Sequence, residues 1–328
     1  MEMDPRSGAA GDKSRVSLVI IWFLFVAAVL SVCARLGTKY AMARRLAWDD
    51  GLIIIAQVSS LAQCIAISFA ATSGLGTSMR DLAPEKVDSF LKVSSCQLLE
   101  GISPNENPLT YWFKAEYAST PFLLLTFALV KWSICVFINH LSPTAVHHQL
   151  DMAFRSTIGL WLTSATLLSI FQCAIPTPWD YVNGSSCLDR RAWSIYVSAL
   201  NIITELGFVF LYVWIIGNLQ ISVLKRTTVL LVFLTRLLVI GAAAAQLAVF
   251  LKAYPSPDIT NSLWLPTVCN QIVVFLSILT ACLPYLRPFM ESLESDVVRV
   301  PEDLEELRSF ARSDARSDAR SGIGMRSN

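Results

Sequence analysis

Three formal charges stand inside long apolar stretches of this 328-residue chain: Lys131, Glu205 and Arg236. A charge in mid-bilayer costs at least ~2.5–3.5 kcal/mol even on the lenient insertion scale, so each must face other protein and find a partner. Counted at ~1.5 Å per residue from one end of their helices, Lys131 and Arg236 lie ~10–12 Å deep and Glu205 ~18 Å. Long side chains bridge such a gap, so the three are expected to form one ionic cluster, whichever way up the chain sits. Asn201 stands one turn before Glu205 on the same helical face and adds a polar neighbour. Two cations against one anion leave a positive surplus, to be met by backbone carbonyls, water or an anionic ligand. Such a cluster serves as a lock between helices or as a switch or ligand site.

Other residues carry less chemistry. Asp49 and Asp50 follow Arg44-Arg45-Leu46-Ala47-Trp48 and open a helix, where carboxylates cap free N–H groups and complement the dipole. His140, His147 and Asp151 share a helical face and His148 is adjacent, a superficial likeness to a metal site. One local cluster without ligands from other helices is weak support for a metal, and none is expected. These are the chain's three histidines, so a zinc-dependent membrane hydrolase is not expected either. Among eight cysteines, Cys33, Cys64, Cys135, Cys269 and Cys282 fall in apolar segments, where cysteine behaves as a small hydrophobe. Cys173 and Cys187 would close a short loop around Pro176, Pro178 and Trp179. Cys96 is the rival partner, and the sequence leaves the connectivity open. Asn183-Gly184-Ser185, between Cys173 and Cys187, is an N-glycosylation sequon.

The elements that must position these residues follow from composition. The chain is 54% hydrophobic and 16% charged, and its mean hydropathy is +0.53. A soluble domain carries about one quarter charged residues, so this chain lacks the polar surface to face water and needs lipid as its solvent. A net charge of +1 gives no field for nucleic acid. Seven stretches near 16–36, 51–73, 115–139, 156–175, 194–217, 228–251 and 264–285 are long enough to cross a bilayer. The first is too long for a secretory signal and is read as a retained helix. The expected fold is all-α: a seven-transmembrane-helix bundle over 16–289, with an N-terminal tail over 1–15 and a largely disordered tail over 290–328. Loop lysines and arginines tie at seven on each side. The short, basic first loop and the arginine-rich tail break the tie toward an N-terminus outside and a cytoplasmic C-terminus. The sequon and the pairable cysteines agree, since both belong outside.

Seven helices invite comparison with known classes. A retinal pump needs a lysine in its last helix, and 264–285 has none. The third stretch ends Phe137-Ile138-Asn139-His140, without the acidic-Arg-aromatic triplet of rhodopsin-like animal receptors, and their Asn-Pro-x-x-Tyr motif is also missing. Another set of pieces stands in order: Trp48-Asp49-Asp50, Gly74-Leu75-Gly76, Lys131-Trp132-Ser133-Ile134, and Phe171 to Pro176 with Trp179 and Cys187. Thr204-Glu205-Leu206, Leu219-Gln220, Lys225, Arg236 and Leu283-Pro284-Tyr285-Leu286-Arg287-Pro288 complete it. The ordered set over about 18–293 resembles the fungal rhodopsin-domain integral membrane proteins, a family that includes receptor-like and secondary-metabolite-cluster members. Two departures stand out: Glu205 replaces the usual Asp, and Gln97 to Trp112 reads as an insertion. The resemblance implies a receptor-like multi-pass protein of the fungal plasma membrane without retinal or other cofactor, and without enzymatic activity. Its expected partners are the bilayer, a small-molecule ligand and a cytoplasmic signalling protein. The alternative it leaves is a small-molecule transporter or export accessory.

Overall fold

The computed structural model describes residues 5–44, 47–72, 108–141, 145–173, 187–217, 223–254 and 259–285. The sequon at Asn183, Cys96, the 97–107 part of the expected insertion and the tail from 290 lie outside them. Among the described residues seven long helices follow in order: α1 (Pro5–Ala43), α2 (Trp48–Thr72), α3 (Pro108–Leu141), α4 (Ala145–Ile170), α5 (Arg190–Gly217) and α6 (Val223–Ala253), then α7 (Trp264–Tyr285). A single helical turn, Ile259–Ser262, leads into α7. The chain divides into a unit Met1–Leu283 and a second unit, Pro284–Asn328, of which only Pro284 and Tyr285 are described. The helical form is what lipid dictates, because a helix satisfies its backbone N–H and C=O groups within one segment.

Six of these helices (all but α4) are long and apolar enough to span a membrane, and the chain is a multi-pass membrane protein. The fourth expected stretch, 156–175, lies mostly in α4, which starts earlier and ends at Ile170. Asp151, Arg155 and a series of hydroxyls lower its hydropathy. Those hydroxyls are nevertheless satisfied inside the helix: Ser156 donates to Met152 O at 2.9 Å, Thr157 to Ala153 O at 2.9 Å and Thr163 to Gly159 O at 3.0 Å. A hydroxyl that back-bonds in this way does not need water. Leu160, Leu167 and Phe171 stay exposed, so this segment presents an apolar side outward.

Packing runs inside out relative to a soluble bundle. On α1, Val19, Phe23, Val26 and Leu30 are exposed, while Ile21, Phe25, Ala28 and Val32 are buried at the same 4-3-4 spacing. The outward stripe faces lipid and the inward stripe faces helices. Sequence neighbours pack together, α2 against α3 most extensively. Ser59 of α2 donates to Phe122 O of α3 at 2.9 Å, one residue past Pro121. That proline lacks the N–H that would bond four residues back, and it sits mid-helix where such residues bend the axis. The seventh helix is anchored to α2 by Gln271 Nε2, which donates to Cys64 Sγ at 3.4 Å.

α5 and α4 meet through rings and a small residue. Phe154 and Phe208 stack with centroids 5.2 Å apart, and a Cβ at Gly207 would come within 2.7 Å of the Phe154 ring. Gly207→Val should therefore push the helices apart and destabilise the protein by about 1–3 kcal/mol, as overpacking does. A lowered thermal midpoint in detergent, with helix content kept, is the expected reading.

Candidate functional site

Lys131, Glu205 and Arg236 come together as their depths required. Glu205 Oε1 is 3.4 Å from Lys131 Nζ, and Glu205 Oε2 is 3.1 Å from Arg236 Nη1. All three side chains are 1% exposed. One carboxylate thus ties α3, α5 and α6. Protein groups meet the positive charge at Lys131, while Arg236 Nε has no hydrogen-bond partner among the described residues. Lys131 Nζ donates to Asn201 O at 3.0 Å and to the Thr204 hydroxyl, and lies 5.6 Å from the centre of the Trp161 ring. The carbonyl, the hydroxyl and the ring face are all negative toward a cation. Asn201 therefore contributes through its backbone, while its side-chain oxygen has no hydrogen-bond partner among the described residues.

Asp49 and Asp50 do more than cap. Asp50 does close the start of α2: its Oδ2 accepts from Ala47 N at 3.0 Å, while its own N–H donates to Ala47 O at 3.0 Å. The carboxylate reaching back to the Ala47 N–H is one half of a capping box, and the bond to Ala47 O is a backbone turn. Both carboxylates also hold cations from α1, the buried Arg35 and the partly exposed Lys39. Arg35 Nη2 is 2.6 Å from Asp49 Oδ2, and Lys39 Nζ is 2.7 Å from Asp49 Oδ2 and 2.8 Å from Asp50 Oδ1. Arg35, completely buried, also donates to Ala281 O of α7 at 3.0 Å and to Ser133 Oγ of α3 at 3.2 Å. Two cations and two anions close a neutral knot joining α1, α2, α3 and α7. A span of 16–36 puts Arg35 at a helix end. The helix runs to Ala43, and Arg35 continues the buried stripe Ile21, Phe25, Ala28, Val32. That stripe was the available signal. The turn that returns the chain is tight: Arg44 has φ 48° and its N–H bonds Tyr40 O, a left-handed helix end, so α2 starts at Trp48.

At the opposite end of α2 a cavity of about 110 Å³ opens among α2, α3, α5, α6 and α7. Gln63, Asn201, Gln246 and Asn270 line it, with serine and threonine hydroxyls, Phe127 and Phe250 between them. Glu116 and Arg190 also line it and are paired with each other. Sequence reading found only Asn201 of this set. The four amides fall singly on four helices, and no local spacing unites them. The cavity, the Glu205 cluster and the Arg35 knot follow one another along the bundle. Lys131 and Ser133 are two residues apart, about 200° around α3, so they serve opposite faces of one helix.

Cys173 and Cys187 form a disulfide, and Leu188 N–H donates to Gln172 O at 2.7 Å beside it. The five apolar-segment cysteines are free. Asp151 pairs with Arg155 at 2.6 Å; the histidine side chains fall outside what is described.

The family model for the fungal rhodopsin domain matches residues 34–292. No curated protein and no solved structure matches the chain.

Two stability effects follow from this geometry. Arg35→Met leaves two buried carboxylates to one lysine and should cost about 3–5 kcal/mol, the usual penalty for stripping one member from a buried ionic group. Thermal unfolding in lipid nanodiscs reads it. Reducing the disulfide, or Cys173→Ser, releases a loop of sequence separation 14 and should cost about 3 kcal/mol, read as a reductant-dependent drop in melting temperature.

Proposed function

The chain belongs to the fungal rhodopsin domain family, and we propose that it is a receptor-like protein of the plasma membrane, signalling without retinal. In this reading the N-terminus and the disulfide end face outward, and the α1–α2 turn faces the cytoplasm. A small molecule entering the cavity changes the bundle at the cytoplasmic end, where a signalling protein reads it. The observation that carries the proposal is the position of Asn201: its side chain lines the cavity and its carbonyl holds Lys131. A ligand that shifts this part of α5 changes the support of Lys131. α3 must answer, because Lys131 and Ser133 tie its two faces to different ionic groups. Movement of Ser133 then disturbs Arg35, Asp49 and the entry of α2.

A ligand shifts such an equilibrium only by its differential affinity for two arrangements, and buried ionic groups with alternative partners supply discrete arrangements. The transporter reading draws support from one observation. Ser60, Gln63, Gln271, Ser277 and Thr280 are buried polar residues on α2 and α7, running from the cavity toward the knot. A polar interior of this kind also suits passage of a small solute.

Neutralising Glu205 imitates the switch without a ligand. In Glu205→Gln, both cations lose their shared anion, and the cytoplasmic ends of the helices should move. Spin labels at Trp48→Cys and Met152→Cys, both exposed, in a Cys33→Ser, Cys96→Ser, Cys269→Ser background, should report a changed distance distribution while the protein stays folded. An unchanged distribution would sink the switch. Solute flux through reconstituted wild-type vesicles, with no such movement, would favour transport.

A further inference from the structure

The cavity's chemistry narrows what enters it. Its volume, about 110 Å³, exceeds the ~10–15 Å³ that a single water needs and is below the ~300 Å³ of sites for drug-sized molecules. Glu116 and Arg190 are the two charged residues lining it, and they neutralise each other. A charged ligand would have to break that pair and shed its own hydration, with no net opposite charge to meet it. The remaining polarity comes from serine and threonine hydroxyls and from four amides. Gln63, Asn201, Gln246 and Asn270 bring one each from α2, α5, α6 and α7.

A carboxamide both donates and accepts, so four of them around one space match groups that also do both. Hydroxyls and carboxamides are those groups. The side-chain oxygens of Gln63 and Asn201 have no hydrogen-bond partner among the described residues, so acceptors remain unmet beside the cavity. Ser198 Oγ already donates to Gln246 Oε1 at 3.4 Å, which orients that amide. Phe127 and Phe250 give the space an apolar wall.

We propose that this cavity binds a small neutral molecule, or the end of a larger one, bearing several hydroxyl or carboxamide groups. The ligand class rests on the receptor reading and deepens it. Binding is measured on the full-length protein in phosphatidylcholine nanodiscs by ligand-observed NMR. The probes are erythritol, a neutral polyol, and the similarly sized ions butylammonium, butyrate and zwitterionic alanine. Erythritol should bind saturably, and the three ions should bind at least about tenfold more weakly. Gln246→Leu and Asn270→Leu, each checked for an unchanged helix signal, should weaken erythritol about tenfold, the value of one hydrogen bond. Equal or tighter binding of any ion overturns the proposal. So does the absence of saturable erythritol binding, or binding that neither substitution alters. If erythritol binds as expected but the labels at positions 48 and 152 do not move, the ligand class stands and the receptor reading falls.

Discussion

A carboxylate taken out of water into a bilayer must bring its cations with it, and in this protein one carboxylate serves two. Glu205 on α5 holds Lys131 of α3 through one oxygen and Arg236 of α6 through the other. In lipid, helices gain little from apolar contact with one another, because the surrounding chains are as apolar as leucine. Polar contacts therefore decide which helices associate and at what register. Three helices are fixed by one side chain, and a fourth group, the Asn201 carbonyl, makes the fixing depend on the wall of a cavity.

The second ionic group shows the same economy further along the bundle. Arg35 reaches carboxylates on α2, a hydroxyl on α3 and a carbonyl on α7. Unlike the Glu205 cluster it is neutral, with two cations and two anions, and it is built around the start of α2. α3 belongs to both groups, through residues two apart that face opposite ways. It cannot turn without changing the partners of one group or the other. This gives the receptor-like proposal a mechanical content that seven helices alone do not supply.

How much of this was written in the sequence varies with the range of the interaction. The helices were legible because twenty apolar residues in a row have few other uses, and the Glu205 cluster because isolated charges at matching depth must meet. The order of short motifs pointed to the family whose model matches residues 34–292. The weaker hydropathy of α4 came from hydroxyls that bond within their own helix, which a residue-by-residue scale counts as polar. Asp49 and Asp50 were read locally, as a cap, and the cap is there. Their partners on α1 were hidden because Arg35 looked like the end of a span, whereas α1 continues two turns further. The cavity was the least legible feature, since Gln63, Gln246 and Asn270 mean nothing until α2, α6 and α7 are brought side by side. Pairing of Cys173 with Cys187 rather than Cys96 likewise needed the chain in three dimensions.

The central claim is that Glu205 and the cations of neighbouring helices act as one unit. A double-mutant cycle on Glu205→Gln and Arg236→Gln, read by reversible unfolding in lipid, tests it most directly. The account predicts strong non-additivity, with a coupling on the order of 0.5–3 kcal/mol as for contacting residues in one network. Additive effects of the two substitutions would contradict it.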